Sequence, residues 1–335
     1  RGWPGCYYSQ PQAGVPSPVN AYPEVSGPDP DRDPNLSALL SQLQTRLNGA
    51  VCCTLVYGSC LRSGDIYDGL LDLYLVCDDY RSAYSSARLA AANWLLPPNV
   101  FYAEQKSNTG AGSDLTLRSK VTVISLRDFE RGCSPAWFES YIWGRFAQPT
   151  HILYARDEYT RARMVAALTQ AALTLLGNAL PALPPQGRLE DLWVQALGMS
   201  YNTELRTERS GRARELVLDA ADFYAALTRH HAPQLSPSFA LQGQGSQLTY
   251  RSSISPTTRR WVALAWAVRR AQGKFLYVMR LVKGLFTFDG GLDYIAWKLE
   301  RHSGEKIIIP DRVRRAPLLH LWGFFWGLYR RGIFK

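Results

Sequence analysis

Apolar and polar positions follow patterns that change from one segment of the chain to the next. Apolar residues recur at helical spacing in residues 35–47, NLSALLSQLQTRL, which predicts an amphipathic helix. The apolar runs VCCTLVYGSC and LLDLYLVCD have the length and content of buried strands. A helix is predicted over residues 82–95, before two consecutive prolines, and NVFYAEQ and KVTVISL predict two more strands. Residues 48–126 are therefore expected to form a small α/β sheet unit.

After about residue 128 the pattern becomes mainly helical. Residues 157–176 form a long helical run, LPALPPQG marks a hinge, and residues 234–250, rich in Ser, Gln and Gly, predict an exposed loop. These changes of composition predict four segments, namely a flexible leader (1–33), an α/β domain (34–155), a helical middle domain (156–255) and a basic C-terminal region (256–335).

The charge balance points to an anionic partner. The 335 residues carry a formal net charge of +10, and 46% of them are hydrophobic, which excludes wholesale disorder. Nucleic acid, a nucleotide and an anionic lipid surface all fit this charge, which does not choose among them. The leader lacks a continuous apolar segment, so it is interpreted neither as a signal peptide nor as a transit peptide.

Cysteine and histidine spacing argues against a zinc site. The six cysteines include no CxxC pair, and the five histidines show no HExxH or zinc-finger spacing. Four of the cysteines lie in or beside strand-like apolar sequence. They are predicted to be buried free thiols in a reducing compartment.

The C-terminal stretch VRRAPLLHLWGFFWGLYRRGIFK combines aromatic residues with flanking arginines. Its apolar run, residues 316–329, is 14 residues long, shorter than the about 20 needed to span a bilayer. An interfacial helix is predicted, with Trp322, Phe324, Phe325 and Trp326 in the headgroup boundary and the arginines at the lipid headgroups. Packing of these aromatics into a protein core is the alternative.

One carboxylate, Asp72, interrupts the apolar run LLDLYLVCD. A buried ionised carboxylate is costly unless it is paired or binds a metal. Twelve residues separate Asp72 from Gly58-Ser59. Nucleotidyltransferases typically have an apolar residue followed by Gly-Ser, then a short gap, and then a strand that carries acidic residues. In that chemistry glycine lets a triphosphate approach the backbone and strand carboxylates hold Mg²⁺. The second acid of the pattern is replaced by Tyr74, so an ordinary strand-turn-strand, with Asp72 capping another group, stays open.

Five segments together carry a more specific signal. They are YGS followed by LLDLYLVCDD, KVTVISL with Lys120, WFESYIWGRFAQPTHIL with Arg145, DLWVQALGMSYNTELR with Glu204 and Arg206, and VKGLFTF with Lys283. In this order, and with gaps from about residue 43 to residue 298, they resemble the Tam41 family of phosphatidate cytidylyltransferases, which is mitochondrial and has bacterial relatives. The chain departs from the family pattern at Cys60, Tyr84 and Glu204, where the family has Gly, His and Asp. A diverged bacterial branch is the simplest explanation.

The resemblance implies an α+β fold with a small mixed sheet of the nucleotidyltransferase type. The pattern along the chain adds a helical middle domain, and composition alone predicts that the basic C-terminal region associates with a membrane. The resemblance implies transfer of CMP from CTP to phosphatidic acid, at an anionic membrane surface and with no nucleic acid partner. The expected location is peripheral, on the cytoplasmic face of a bacterial inner membrane or on the matrix side of the mitochondrial inner membrane.

The same resemblance assigns roles to individual residues. Asp72 and Glu204 would hold Mg²⁺, and with Lys120 they would form the catalytic set. Gly58, Ser59, Arg145, Arg206 and Lys283 are expected to surround the phosphates, because cationic groups offset the charge of a triphosphate.

Simpler interpretations exist for each residue and for the whole chain. Lys120 could be a solvated charge at a strand edge, Arg145 a helix cap, and Glu204 a surface partner of a nearby arginine. A nucleotidyltransferase with RNA or a small molecule as its acceptor is the closest alternative function, and a non-catalytic membrane-binding relative is the second.

Overall fold

The fold was analysed in a computed structural model, which describes residues 22–106, 115–204, 211–235, 239–243, 248–287 and 307–315, with isolated positions at 300, 320, 323, 326, 327 and 330. The described strands are β1 (Val51–Tyr57), β2 (Leu71–Cys77), β3 (Asn99–Lys106), β4 (Thr116–Ser125), β5 (His151–Ala155), β6 (Gln186–Arg188), β7 (Ala240–Gln242) and β8 (Thr249–Arg251). The described helices are α1 (Pro34–Arg46), α2 (Ser59–Ser63), α3 (Tyr80–Ala83), α4 (Ala87–Leu95), α5 (Leu126–Cys133), α6 (Trp143–Phe146), α7 (Glu158–Ala179), α8 (Leu189–Tyr201), α9 (Arg212–Asp219), α10 (Ala221–Leu235), α11 (Pro256–Thr287) and α12 (Asp311–Arg315). The predicted α+β class is confirmed.

Within the described part of the chain, β1 to β5 form one mixed sheet in the order β3-β4-β2-β1-β5. β2 and β4 run parallel, and the other neighbouring strands are antiparallel. Strands β1 and β2 are apolar almost throughout because both faces of the sheet are covered. Leu55 and Tyr74 face the core that contains α7, whereas Val56 and Leu73 face the core that contains α1. Alternation along each strand therefore sends Asp72, two residues before Tyr74, to the α7 side.

The predicted leader is wrong for residues 22–33, which are packed against the sheet unit. The Tyr22 hydroxyl donates to the Gln148 carbonyl at 3.3 Å and accepts from the Thr150 amide at 3.0 Å. Val25 provides a carbonyl 2.7 Å from a ring nitrogen of His151 in the edge strand β5. Asp33 caps α1, because its side chain accepts from two backbone amides of the first turn. These contacts order a Pro- and Gly-rich stretch whose composition alone favours flexibility.

The middle of the chain contains α7 to α10 and a small sheet with the order β6-β8-β7. Two of its strands lie in the segment for which an exposed loop is predicted, and the Tyr250 hydroxyl in β8 donates to the Pro184 carbonyl at 2.7 Å. Strands of three residues are too short to show an alternation in sequence. Of the described helices, α7 with its extension to Ala182 is the one that is long and apolar enough to cross a bilayer. Because 72% of its most apolar window is buried inside the protein, we interpret it as a core helix.

The cysteines that the structure describes are free and buried, as predicted. They are Cys52, Cys53, Cys60, Cys77 and Cys133. Burial raises the pKa of the Cys52 thiol to about 11, so the unreactive protonated form is favoured at neutral pH.

The long helix α11 packs both against the main sheet unit, at β3 and α4, and against the helical middle of the chain. Trp266 is buried and donates its indole N–H to the Asn178 carbonyl at the end of α7, at 2.8 Å. Gly273 lies where a Cβ atom would be 2.5 Å from the Thr203 carbonyl oxygen, so the helix backbone packs directly on the loop after α8. The outer face of α11 exposes a stripe of apolar side chains, Trp261, Leu264, Val268, Phe275 and Val282.

Candidate active site

The turn after β1 brings the backbone against Asp72. Gly58 has a φ of 95°, a left-handed conformation that favours glycine. A Cβ atom at this position would lie 2.9 Å from Oδ2 of Asp72. Both the backbone conformation and the close approach therefore require glycine here. The next residue, Ser59, begins α2 and is exposed.

Asp72 and Lys120 lie side by side in the sheet. In the observed register Tyr57 pairs with Asp72, Asp72 pairs with Lys120, and Lys120 pairs with Tyr102. Residues paired across neighbouring strands point to the same face, so this row faces α7 and α8 at the end of the sheet that carries the glycine turn. Lys120 is half-buried in β4, which lies between β2 and β3, so it is not on a strand edge.

Arg145 and Glu204 form a buried ion pair on the same side of the sheet. Nη2 of Arg145 is 3.3 Å from Oε2 of Glu204, and both side chains are less than a tenth exposed. Nη1 of Arg145 donates to the Tyr74 hydroxyl at 3.4 Å, so the residue at the missing acid position contacts a cation instead. Burial opposes the charge of Arg145, but the Coulombic attraction of Tyr141, Tyr57 and Glu204 outweighs it and raises the pKa of Arg145 well above its ordinary value. The helix-cap interpretation of Arg145 does not account for this burial.

Two residues that the sequence analysis missed complete this cluster. The guanidinium of Arg145 lies 4.2 Å from the ring centroid of Tyr141, and that of Arg280 lies 4.1 Å from the same centroid. Arg280 also forms two hydrogen bonds to the carboxylate of Glu139, at 2.5 and 2.7 Å. Although burial raises the pKa of Tyr141, the positive charges of Arg145, Arg280 and then Lys120 lower it below its ordinary value.

Different signals existed for the two missed residues. Tyr141 is part of the motif segment that contains Arg145, so the same segment could have suggested it. Arg280 lies in α11 among many basic and aromatic residues, and nothing in the sequence distinguishes it from them.

Lys283 contacts the backbone of the turn between α4 and β3. Its Nζ donates to the carbonyls of Leu96 and Pro98, at 2.5 and 2.7 Å, at the turn that precedes β3. Burial, followed by the nearby charge of Arg280, lowers the pKa of Lys283 to about 7. Its observed contacts are with the backbone between α4 and β3, and the predicted contact with a triphosphate stays a prediction.

The predicted magnesium ligands are compatible with the ion in type, although they do not form a closed site. Among the described residues no group of three or more His, Cys, Asp or Glu is arranged to hold a metal. Mg²⁺ in nucleotide enzymes is commonly held by one or two carboxylates together with substrate phosphates and water. Asp72, half-buried beside the glycine turn, has the required chemistry, whereas Glu204 contacts Arg145.

Four predicted residues lie outside the described part of the chain. They are Arg206, Trp322, Phe324 and Phe325. Trp326 is described and is 55% exposed.

No protein-family model matches this chain, and no curated protein is significantly similar to it in sequence. Its function is therefore argued from the site and from the motif segments.

Proposed function

We propose that the protein is a Mg²⁺-dependent CTP:phosphatidate cytidylyltransferase, which transfers CMP from CTP to phosphatidic acid and forms CDP-diacylglycerol and pyrophosphate. The observation that carries the proposal is the position of Asp72, which lies against the Gly58 turn and beside Lys120 in the sheet. A carboxylate, a lysine and a closely approached glycine turn are the groups that nucleotidyl transfer needs in one place. With this proposal, the mixed sheet is assigned to the nucleotidyltransferase type.

Each residue then has a role that follows from its position. The Gly58 turn admits phosphate oxygens close to the backbone, and the exposed hydroxyl of Ser59 donates a hydrogen bond to them. Lys120 offsets negative charge that develops on the transferred phosphoryl group, and Arg145 adds to the positive field of this face. Magnesium bound at Asp72 would supply charge neutralisation for the triphosphate.

The mechanism requires little proton transfer. The attacking group is a phosphate oxygen of the lipid, which is already anionic at neutral pH. Positioning and charge neutralisation therefore account for most of the rate enhancement. Lysine, arginine and carboxylate side chains are suited to this chemistry.

The outer face of α11 supports a lipid acceptor. Its exposed apolar stripe runs beside Arg260, Arg270 and Lys274, which are also exposed. A helix with an apolar stripe next to basic residues is suited to the surface of an anionic bilayer. Stacking of single-stranded RNA bases would instead need aromatic rings along a basic groove.

The test is an assay with the purified chain, CTP, Mg²⁺ and vesicles that contain phosphatidic acid. We expect CDP-diacylglycerol to form with release of one pyrophosphate per product, and no pyrophosphate to be released from CTP without phosphatidic acid. Pyrophosphate release that requires RNA or a small molecule would replace this proposal by transfer to another acceptor. Binding of CTP without any transfer would indicate a non-catalytic relative.

A further inference from the structure

A cavity of about 260 Å³ opens beside the Gly58 turn. It lies between α2, the segment after α6, and the junction of α9 and α10. Leu61, Pro149 and Leu216 contribute apolar walls, and Arg62, Gln148 and Asp219 contribute polar groups. Its volume is below the about 300–1,000 Å³ that is typical of pockets for whole drug-sized ligands, so it suits a fragment the size of one ring.

Gln148 points to a ligand in this cavity. It is 8% exposed and lines the cavity, yet no hydrogen bond of its side chain is found within the described part of the chain. A side-chain amide offers two donors and an acceptor oxygen. No amide atom of Gln148 is among the fully buried unpaired polar atoms of the described residues, so the amide is open to the cavity that it lines. The Gln148 amide is therefore available to a group that enters the cavity.

The charges in the cavity select the kind of ligand. Nε of Arg62 and Oδ2 of Asp219 are 3.9 Å apart, too far for a hydrogen bond between them. Burial, followed by the charge of Arg212, lowers the pKa of Arg62, which shows that its guanidinium is partly removed from water. The carboxylate of Asp219 in the cavity wall would repel a phosphate group. A neutral planar ring that carries both donors and acceptors satisfies Arg62, Asp219 and Gln148 together.

We propose that this cavity binds the cytosine ring of CTP, with Asp219 accepting a hydrogen bond from the exocyclic amine and Arg62 and Gln148 donating to the ring acceptors. This inference rests on the proposed function. Gly58 borders the cavity and also contacts Asp72, so the base and the phosphates lie on two sides of one turn. Uracil carries an acceptor oxygen where cytosine carries the amine, so Asp219 discriminates against UTP.

The experiment measures equilibrium binding of CTP and UTP to the full chain with Mg²⁺ and without phosphatidic acid. We expect wild type to bind CTP roughly 10-fold or more tightly than UTP, in line with the discrimination of a good base contact. Asp219→Asn should bring this ratio close to one, because the Asn amide can donate to the uracil oxygen. Gln148→Leu should weaken the binding of both nucleotides and tests the cavity if the first variant fails to fold.

Asp191→Asn is the matched control. Asp191 lies 3.9 Å from Arg214, so this variant removes the same charge from an ion pair of the same length outside the cavity. It should keep the wild-type preference for CTP. An unchanged ratio in Asp219→Asn, together with unchanged affinities in Gln148→Leu, would overturn the inference while leaving cytidylyl transfer intact. Absence of any CTP binding to wild type would overturn the proposed function as well.

Discussion

At the scale of single residues, the charge of Asp72 is the feature on which catalysis is expected to depend. Asp72→Asn keeps the volume of the side chain and removes its charge, so the fold should persist while turnover is abolished. Steady-state assays at saturating Mg²⁺, with a melting curve for each protein, measure both effects. Near-normal turnover of the variant would contradict the role of Asp72.

Ser59 provides a graded comparison within the same turn. Ser59→Ala should weaken the use of CTP by about 1 kcal/mol, the contribution of one hydrogen bond to phosphate. The change should appear in kcat/KM for CTP, with the melting temperature unchanged because Ser59 is exposed.

Tyr141 is expected to hold Arg145 through its ring. Tyr141→Phe keeps the ring against the guanidiniums of Arg145 and Arg280 and should retain most activity. Tyr141→Leu removes two cation–π contacts, each worth about 0.5–2 kcal/mol, and should lower kcat because Arg145 is no longer fixed. If kcat is retained in Tyr141→Phe and lost in Tyr141→Leu, the ring and not the hydroxyl holds Arg145. Equal loss in both variants would assign the role to the hydroxyl instead.

An exposed pair gives the control for Tyr141. Arg163 lies 5.6 Å from the ring centroid of Tyr159, whose side chain is largely exposed on α7. Tyr159→Leu removes one cation–π contact outside the site and should leave kcat unchanged.

The buried amine of Lys283 predicts a pH dependence of stability. Its pKa is about 7 in the folded protein and about 10.4 in an unfolded chain. Between these values the unfolded chain binds more protons, so this group makes the free energy of unfolding rise with pH, by up to about 1.4 kcal/mol per pH unit. The neutral amine still has two N–H groups for the two carbonyls that it contacts.

Lys283→Met has no amine to titrate, so the difference in stability between wild type and this variant isolates the contribution of Lys283. Denaturant unfolding at pH 7, 8 and 9 should show wild type gaining stability relative to the variant as the pH rises. A difference between the two proteins that stays constant over this range would show that Lys283 remains charged in the folded state.

At the scale of elements, the contact between α11 and the loop after α8 predicts opposite effects at two glycines. Replacing glycine by alanine inside a helix normally stabilises by about 1 kcal/mol. At Gly273 the added Cβ would lie 2.5 Å from the Thr203 carbonyl oxygen, so Gly273→Ala should destabilise because the helix must shift. At Gly284 no neighbouring atom of the described residues lies within 4 Å of such a Cβ, so Gly284→Ala should stabilise. Chemical denaturation of both variants measures the contrast, and stabilisation by both would contradict this packing.

At the scale of the whole molecule, the C-terminal aromatic segment is expected to bind the membrane. Truncation after Arg315 keeps α12, whose Val313 is buried, and removes the aromatic segment with its terminal basic residues. Flotation with anionic vesicles should be lost, since each arginine near such a surface contributes on the order of 1 kcal/mol. Activity on vesicle-borne phosphatidic acid should fall, whereas activity on a short-chain soluble analogue should persist.

The apolar stripe of α11 is the competing membrane contact. Phe275→Asp places a charge in the stripe without shortening the chain. If the truncated protein still floats and Phe275→Asp does not, α11 is the anchor and the prediction for the C-terminal segment is wrong.

Local features of this fold could be predicted from the sequence, because they depend on neighbouring residues. Strands β1 to β4 were predicted from short apolar, strand-like segments, and helix α1 was predicted from apolar residues at helical spacing. The predicted helix over residues 82–95 is divided into α3 and α4 because Ser86 caps a new helix, which helical spacing alone does not reveal. Gly58 and Asp72 were predicted to lie together because nucleotidyltransferases typically have Gly-Ser after one strand and an acidic residue on the next strand.

Contacts between distant residues were decided by the tertiary structure. Arg145 and Glu204, 59 residues apart, meet because α6 packs against the end of α8, and Arg280 reaches Tyr141 along α11. Apolar alternation sets which face of a strand is buried, but it does not set which strands pair or in which register. The pairing of Asp72 with Lys120, and the cavity between Arg62 and Asp219, therefore depend on how the whole chain packs.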